Sequence, residues 1–182
     1  MLTIAAFRFK KIPGKGNQSN FLKIGVLIPA HNESCGIAKT VRSIKSTLDY
    51  PDAQFHIIVI ADNCRDDTAE LSRKAGAKVV ERFDLSARGK GQALDWFFKS
   101  HKSIYLKFDA VVIIDADTIP HPDFLNEISA SLSPGEVDVV QGFYGVSNPD
   151  TNWRTALCAA ALSVFHHIRP AGRNRIGGTA GL

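Results

Sequence analysis

The chain alternates between apolar blocks with strand character and segments whose apolar residues recur at helical spacing. The blocks that predict strands are "IGVLIP" (24–29), "FHIIVIA" (55–61), "AKVVE" (77–81), "FDAVVIID" (108–115) and "EVDVVQGFYGV" (136–146). Between them, apolar residues spaced three and four apart predict helices, as at Ile37, Val41, Ile44 and Leu48. This alternation predicts an α/β domain with a mostly parallel sheet flanked by helices, and such sheets bind ligands beyond the carboxyl ends of their strands.

The ends of the chain differ from its middle. Residues 1–22 contain "PGKGNQSN" and five of the chain's basic residues lie between positions 8 and 23, so this part is predicted to be a polar, basic leader before a domain that spans 23–182. Near the other end, one broad apolar face predicts a last helix from Trp153 to Ile168. Three arginines, at 169, 173 and 175, follow that helix.

Composition narrows the class of protein. A chain of 182 residues is long enough for one domain with its own core. The three cysteines, Cys35, Cys64 and Cys158, form no CxxC pair, so neither a disulfide framework nor a cysteine zinc site is indicated. No apolar run reaches the ~20 residues that span a bilayer. We therefore expect a soluble cytoplasmic domain, or one at the cytoplasmic face of a membrane in a longer parent protein.

A formal net charge of +4, concentrated towards the two ends, suits an anionic ligand or a membrane surface, and solvated terminal segments explain it equally well. We expect no nucleic-acid partner.

The spacing of residues excludes two phosphate-binding motifs. A P-loop needs glycine where the chain has Asp84, and the first strand is followed by "PAHNESCG" instead of a dinucleotide fingerprint.

Polar residues collect where the predicted strands give way to helices. "PAHNE" (29–33) follows the first strand, "ADNCRDD" (61–67) follows the second, "RGKG" (88–91) precedes a helix, and "DAD" (115–117) ends the central strand. Each loop alone could simply cap a helix or shape a turn. Together they place carboxylates, an amide and a lysine at one edge of the sheet. In an extended segment Asp115 and Asp117 would face opposite ways, so one could meet a hydroxyl and the other a hard divalent cation.

In this order the motifs resemble those of the family 2 glycosyltransferases, inverting enzymes of the GT-A fold that transfer sugar from a nucleotide diphosphate. The resemblance implies that Pro29, Ala30, His31, Asn32 and Glu33 form the first nucleotide loop, with Glu33 near the ribose. It further places Asp62 at the uracil ring, Lys90 in the basic nucleotide loop, Asp115 near the ribose and diphosphate, and Asp117 on the metal, Mg²⁺ or Mn²⁺.

The resemblance also implies the partners. We expect a nucleotide-sugar donor, UDP-linked, and a hydroxyl acceptor of unknown identity in polysaccharide or glycolipid synthesis. "RGKGQAL" and "QGFYGV" look closest to the cellulose-synthase-like members, which are associated with membranes. The family supplies its catalytic base from beyond a glycine-rich turn like "IGGTAGL", so the base is expected beyond Leu182 and the catalytic residue is unknown here.

Two other functions fit parts of the pattern. A non-catalytic nucleotide-binding or interaction module would need the same loops without the base. A nucleotidyltransferase would share the sheet architecture, but its glycine-rich first loop is missing where "PAHNE" stands.

Overall fold

A computed structural model describes residues 5–8, 21–132, 137–142, 145–169 and 172–173. The strands are β1 (Ala5–Arg8), β2 (Ile24–Ala30), β3 (Phe55–Asp62), β4 (Lys78–Arg82), β5 (Ala110–Ile113) and β6 (Val139–Gln141). The α-helices are α1 (Ile37–Thr47), α2 (Thr68–Lys74), α3 (Lys90–Ser100), α4 (Lys102–Tyr105), α5 (Phe124–Leu132) and α6 (Trp153–Ser163). Short 3-10 turns lie at Asp52–Gln54 and Pro149–Thr151, and a π-helical turn at Val164–Ile168 follows α6.

The strands form one six-stranded sheet in the order β4-β3-β2-β5-β1-β6. Strands β4, β3, β2 and β5 are parallel to one another, and β1 runs antiparallel to both β5 and β6. The helices joining the parallel strands cover the sheet, so its central strands are apolar on both faces. The prediction of an α/β domain with a mostly parallel sheet is confirmed.

The core lies around β2, β3 and β5, where nearly every residue is buried. Burying a side chain such as Ile28 contributes about 1.5–3 kcal/mol, which explains why uninterrupted apolar runs form these strands. Gly25 allows a close contact, because a Cβ there would lie 2.6 Å from Phe108 Cδ2. In α1 the predicted apolar face is confirmed, since Ile37, Val41 and Ile44 are all fully buried.

Several boundaries differ from the prediction. β1 lies inside residues 1–22, the predicted leader, so position 23 is not the edge of the sheet. Within the described part of the predicted strand 136–146, β6 covers Val139–Gln141. The chain divides into two compact units, Met1–Gln141 and Gly142–Leu182.

The second unit contains α6, whose first turn is well defined. The side chain of Asn152 accepts hydrogen bonds from the backbone of Arg154 and Thr155, and Thr155 bonds back to the backbone of Asn152. This reciprocal cap satisfies N–H groups that would otherwise lack partners. Over the residues that the structure describes, no helix is both long and apolar enough to cross a bilayer.

Candidate functional site

The strands of the sheet do not all end at the same level. β2 pairs with β5 only as far as Leu27 opposite Ile113, but it continues along β3 to Ala30 opposite Ala61. The backbone nitrogen of Pro29 faces the same neighbouring strand as that of Leu27, because this direction repeats at every second residue of a strand. That neighbour, β5, has already ended at the level of Pro29. The N–H that proline lacks is therefore not needed. A crevice opens at this carboxyl edge, which we define as the loops that follow β2, β3 and β5.

The loops after β2 and β3 are joined by side chains. Asn32 and Asn63 both have positive φ, 55° and 52°, a backbone region in which asparagine is enriched. Asn32 Oδ1 accepts a hydrogen bond from the N–H of Arg65 at 2.8 Å. His31 Nδ1 lies 2.7 Å from the carbonyl of Asp62 and must donate to it, so Nε2 is the acceptor for Asn32 Nδ2 at 3.2 Å.

Asp66 makes a second connection between these loops, which the sequence analysis did not single out. Its carboxylate accepts from Ser34 N at 3.0 Å, from Thr68 N at 3.1 Å and from the Thr68 hydroxyl at 2.5 Å. The same hydroxyl accepts from Glu33 N at 2.8 Å. Partial burial works to raise the pKa of Asp66, but hydrogen bonds from Thr68 and Ser34 outweigh it and lower the pKa to about 2.

Asp62, at the end of β3, is held by an arginine from the neighbouring strand. The parallel register places Arg82 opposite Asp62, and Arg82 Nη1 donates to Asp62 Oδ1 at 2.7 Å. Both residues are only 5% exposed. Asn63 Nδ2 donates to the same oxygen at 3.1 Å, and within the described residues no donor reaches Oδ2. Arg82 also reaches Asp84 Oδ2 at 3.0 Å, so its charge is shared between two carboxylates.

A cavity of about 190 Å³ opens at this edge. Among the described residues, nine line this cavity: five of them were predicted to bind the nucleotide, and four were not. The predicted ones are Pro29, Ala30, His31, Asp62 and Lys90, and the others are Asn63, Arg88, Gly89 and Ala93. Asn32, Glu33, Asp115 and Asp117 do not line it.

Lys90 and Asp115 are brought together by the fold. Lys90 is the first residue of α3, Asp115 follows β5, and Lys90 Nζ forms an ion pair with Asp115 Oδ1. Asp115 is the more buried partner, with 16% of its side chain exposed against 36% for Lys90. Gly89, with φ of 103°, gives the backbone its turn into α3.

Asp115 and Asp117 are not in an extended segment, so that part of the prediction is wrong. β5 ends at Ile113, and Thr118 N donates to the carbonyl of Asp115 at 3.1 Å, which closes a turn. The turn still separates the two carboxylates: Asp115 is half-buried against Lys90, while Asp117 is exposed. Among the described residues Asp117 has no ion-pair or hydrogen-bond partner. Beside it, the buried Thr118 hydroxyl also lacks a partner within the described part of the chain.

The donor set at this turn suits a cation that brings its own ligands. Over the described residues no group of three or more His, Cys, Asp and Glu side chains is arranged to hold a metal ion. Mg²⁺ and similar ions keep several waters and bind one or two carboxylates together with substrate phosphates, so a complete protein cage is not required. Asp117, exposed and unpaired, fits that mode.

Comparison with known proteins gives the family. A family model described as "Glycosyltransferase like family 2" matches residues 22–180. The chain belongs to this family. Family membership explains why the loops "PAHNE", "ADNCRDD", "RGKG" and "DAD" occur in this order at one edge of the sheet, and it confirms the resemblance drawn from the sequence.

Several curated relatives align over more than half of this chain, and two of them illustrate the range. Glucosyl-3-phosphoglycerate synthase of Mycobacterium tuberculosis is 35% identical over 128 residues, which cover 66% of this chain and 37% of that protein. The UDP-forming cellulose synthase catalytic subunit of Pseudomonas fluorescens is 29% identical over 102 residues, which cover 56% of this chain and 13% of that protein. This chain thus spans less than two fifths of either relative.

A solved structure shares the fold. The mannosyltransferase PcManGT from Pyrobaculum calidifontis, solved in complex with GDP-Man and Mn²⁺, has a TM-score of 0.51 and 22% sequence identity. The match covers 69% of this chain and 36% of that one. The predicted GT-A architecture is confirmed.

Proposed function

We propose that the carboxyl edge binds the nucleotide-diphosphate sugar of a glycosyltransferase, with UDP as the nucleotide and Mg²⁺ or Mn²⁺ as the cation. The observation that carries this proposal is the cavity in which Asp62 and Lys90 lie together, with the turn of Asp115 and Asp117 joined to it through Lys90. The sugar is transferred to a hydroxyl acceptor with inversion, as in the inverting members of the family. The name of the cellulose synthase relative supports UDP as the product nucleotide.

We assign recognition of the nucleotide base to Asp62. Arg82 pairs with this buried carboxylate, and a carboxylate only accepts hydrogen bonds. The uracil ring offers one N–H, which is the complementary donor. Since Oδ1 is already occupied by Arg82 and Asn63, Oδ2 is the oxygen that we assign to the base.

We assign binding of the diphosphate to Lys90 and to the turn that contains Asp115 and Asp117. Lys90 supplies a point charge for phosphate oxygens, and Asp115 holds its ammonium at the mouth of the crevice. Asp117 would hold the divalent cation, which neutralises charge on the departing diphosphate when it is bound. We assign the loop of Pro29, Ala30, His31, Asn32 and Glu33 to the nucleoside, with Pro29, Ala30 and His31 in the cavity lining and Asn32 and Glu33 outside it. Hydrogen bonds hold this loop to the chain after β3, because Asn32 Oδ1 accepts from Arg65 N and Glu33 N donates to the Thr68 hydroxyl.

Nucleotide preference tests the proposal. In calorimetric titrations with Mn²⁺ present, we expect UDP to bind more tightly than ADP, because adenine offers Asp62 no ring N–H at the matching position. Asp62→Asn should remove at least about tenfold of the UDP affinity, the value of a hydrogen bond to a charged group. Asp123→Asn is the matched control, since Asp123 is exposed and lines neither cavity. Equal affinity for UDP and ADP would contradict the assignment.

A further inference from the structure

A second and larger cavity lies at the opposite end of the sheet. Its volume is about 710 Å³, and it follows the starts of β2, β3 and β4, which parallel pairing places at one edge. We call it the lysine cavity. The residues that define it are Lys23, Lys45, Lys78 and Lys107 at the rim, and Phe55, Ile58, Ile104 and Phe108 among its apolar walls.

The four lysines come from four separate parts of the fold. Lys23 directly precedes β2, Lys45 lies in the last turn of α1, Lys78 begins β4, and Lys107 lies between α4 and β5. Residues so far apart in sequence meet only because the strands begin at a common edge. The convergence is therefore a property of the tertiary structure.

The charge of the lysine cavity is not balanced by protein acids. Asp52 is the one carboxylate in the described lining, and within the described residues none of the four lysines forms a salt bridge. The nearby Asp109 carboxylate is bound by the backbone N–H of Lys23 at 2.9 Å. A concave surface lined by charge of one sign concentrates counter-ions, so this cavity attracts anions.

The end of the Lys45 side chain lies close to a glycine. Gly76 lies two residues after the end of α2 and has a φ of 91°. A Cβ on this residue would collide with Lys45 Nζ. The absence of a side chain at Gly76 leaves room for the Lys45 ammonium at the rim of the cavity. Below the rim, Phe108 and Ile58 are almost fully buried and give the cavity an apolar wall.

We propose that the lysine cavity binds a soluble organic phosphate that has a flat apolar ring and at least two negative charges. The ammonium groups meet the phosphate as flexible point charges, and the ring lies against Phe108 and Ile104. The volume falls in the range of small-molecule sites, ~300–1,000 Å³, and is too large for inorganic phosphate alone. The site is independent of the donor site, since no residue lines both cavities.

Pyridoxal 5′-phosphate is a suitable probe, because it carries a flat ring, a phosphate and an aldehyde. A lysine amine adds to the aldehyde and loses water to form an imine, and borohydride delivers hydride to give a stable secondary amine. At one equivalent of probe in EDTA, peptide mapping should find the label on the four cavity lysines, at least about tenfold above Lys39 and Lys99. Inorganic pyrophosphate should protect the cavity lysines selectively. Even labelling of all exposed lysines, or label on Lys90 alone, would overturn the proposal.

A charge-matched pair of variants tests equilibrium binding. Lys45→Ala/Lys78→Ala should weaken metal-free pyrophosphate binding by about tenfold in calorimetry. Lys39→Ala/Lys99→Ala removes the same two charges from exposed positions outside the cavity, and it should change the affinity less than about twofold. Equal losses in the two variants would show that net charge alone attracts the anion and would refute a built site.

Discussion

At the scale of single residues, the central feature of the carboxyl edge is the difference between Asp115 and Asp117. Both belong to one turn, but Asp115 is half-buried in an ion pair with Lys90, and Asp117 is exposed without a partner in the described structure. The ammonium group of Lys90 already offsets much of the negative charge of Asp115. Asp117 is thus the carboxylate that is available to a metal ion.

The two aspartates should therefore respond differently to neutralisation. Asp117→Asn should weaken Mn²⁺ binding in the presence of UDP by at least about tenfold, since it removes a direct charged ligand. Asp115→Asn should have a smaller effect on Mn²⁺ and should mainly lower UDP affinity, because Lys90 loses its anchor. Titration of Mn²⁺ into each UDP-saturated variant separates the two roles. Asp123→Asn, an exposed carboxylate beyond the turn, is the control, and a larger metal defect in Asp115→Asn would reverse the assignment.

The buried pair of Asp62 and Arg82 gives a second residue-scale prediction. Arg82→Met leaves the Asp62 charge buried without its partner and should cost about 3–5 kcal/mol of unfolding free energy. Asp62→Asn should cost less, because Arg82 keeps Asp84 as a partner. In urea unfolding, the double variant should lose less than the sum of the two single losses. Strict additivity would mean that the two side chains are not coupled.

At the scale of elements, the loops after β2 and β3 behave as one unit because Asp66 links Ser34 to Thr68. The pKa of Asp66 is lowered from 3.8 to about 2 in the folded protein. The ionised carboxylate therefore stabilises the fold fully at pH values above its pKa in the unfolded chain, and this stabilisation is lost as the pH falls towards 2. Asp66→Asn should abolish that part of the acid dependence. We expect a loss of about 1 kcal/mol at pH 7, allowing for solvent screening, and little loss near pH 2.

Urea unfolding of the wild type and Asp66→Asn between pH 2 and 7 measures this difference. Asp67→Asn is a suitable control, because Asp67 is the exposed N-cap residue of α2 and its side chain makes no capping hydrogen bond. A constant gap between wild type and Asp66→Asn at every pH would contradict the linkage.

Elements with a simple local pattern were predictable, and those set by long-range pairing were not. The buried runs of β2 and β3 and the apolar face of α1 are confirmed, since burial on both faces of a parallel sheet leaves a direct trace in the sequence. β1 was missed because it is only four residues long, is followed by Lys10 and Lys11, and depends on pairing with β5. The turn at Asp115 was missed because its closing hydrogen bond changes no hydrophobic pattern.

The site itself was predictable in outline only. Loops at strand ends predict that Asp62, Lys90, Asp115 and Asp117 share one edge, because parallel strands bring their carboxyl ends together. The structure places Asp62 and Lys90 in one cavity and pairs Lys90 with Asp115, whereas the binding roles of these residues stay predictions. The contribution of Arg82 is different in kind. It becomes visible only through the register of β3 and β4, which no local spacing reveals.

At the scale of the whole molecule, the sheet separates two cavities with opposite requirements. The carboxyl edge combines carboxylates with Lys90, which suits a nucleotide diphosphate that arrives with a cation. The lysine cavity at the amino ends carries mainly positive charge and suits an anion without a metal. Both lie within the unit Met1–Gln141, so one compact unit holds both proposed sites.

The measurement that tests the central claim most directly is a calorimetric titration of the chain with UDP, in Mn²⁺ and again in EDTA. In our proposal Asp117 would hold the cation that accompanies the diphosphate, so we expect UDP to bind at least about tenfold more tightly with Mn²⁺, and we expect Asp117→Asn to remove that gain. Lys45→Ala/Lys78→Ala should keep the gain, which excludes the lysine cavity as its source. Equal UDP affinity with and without Mn²⁺ would contradict a metal-assisted donor site at the carboxyl edge.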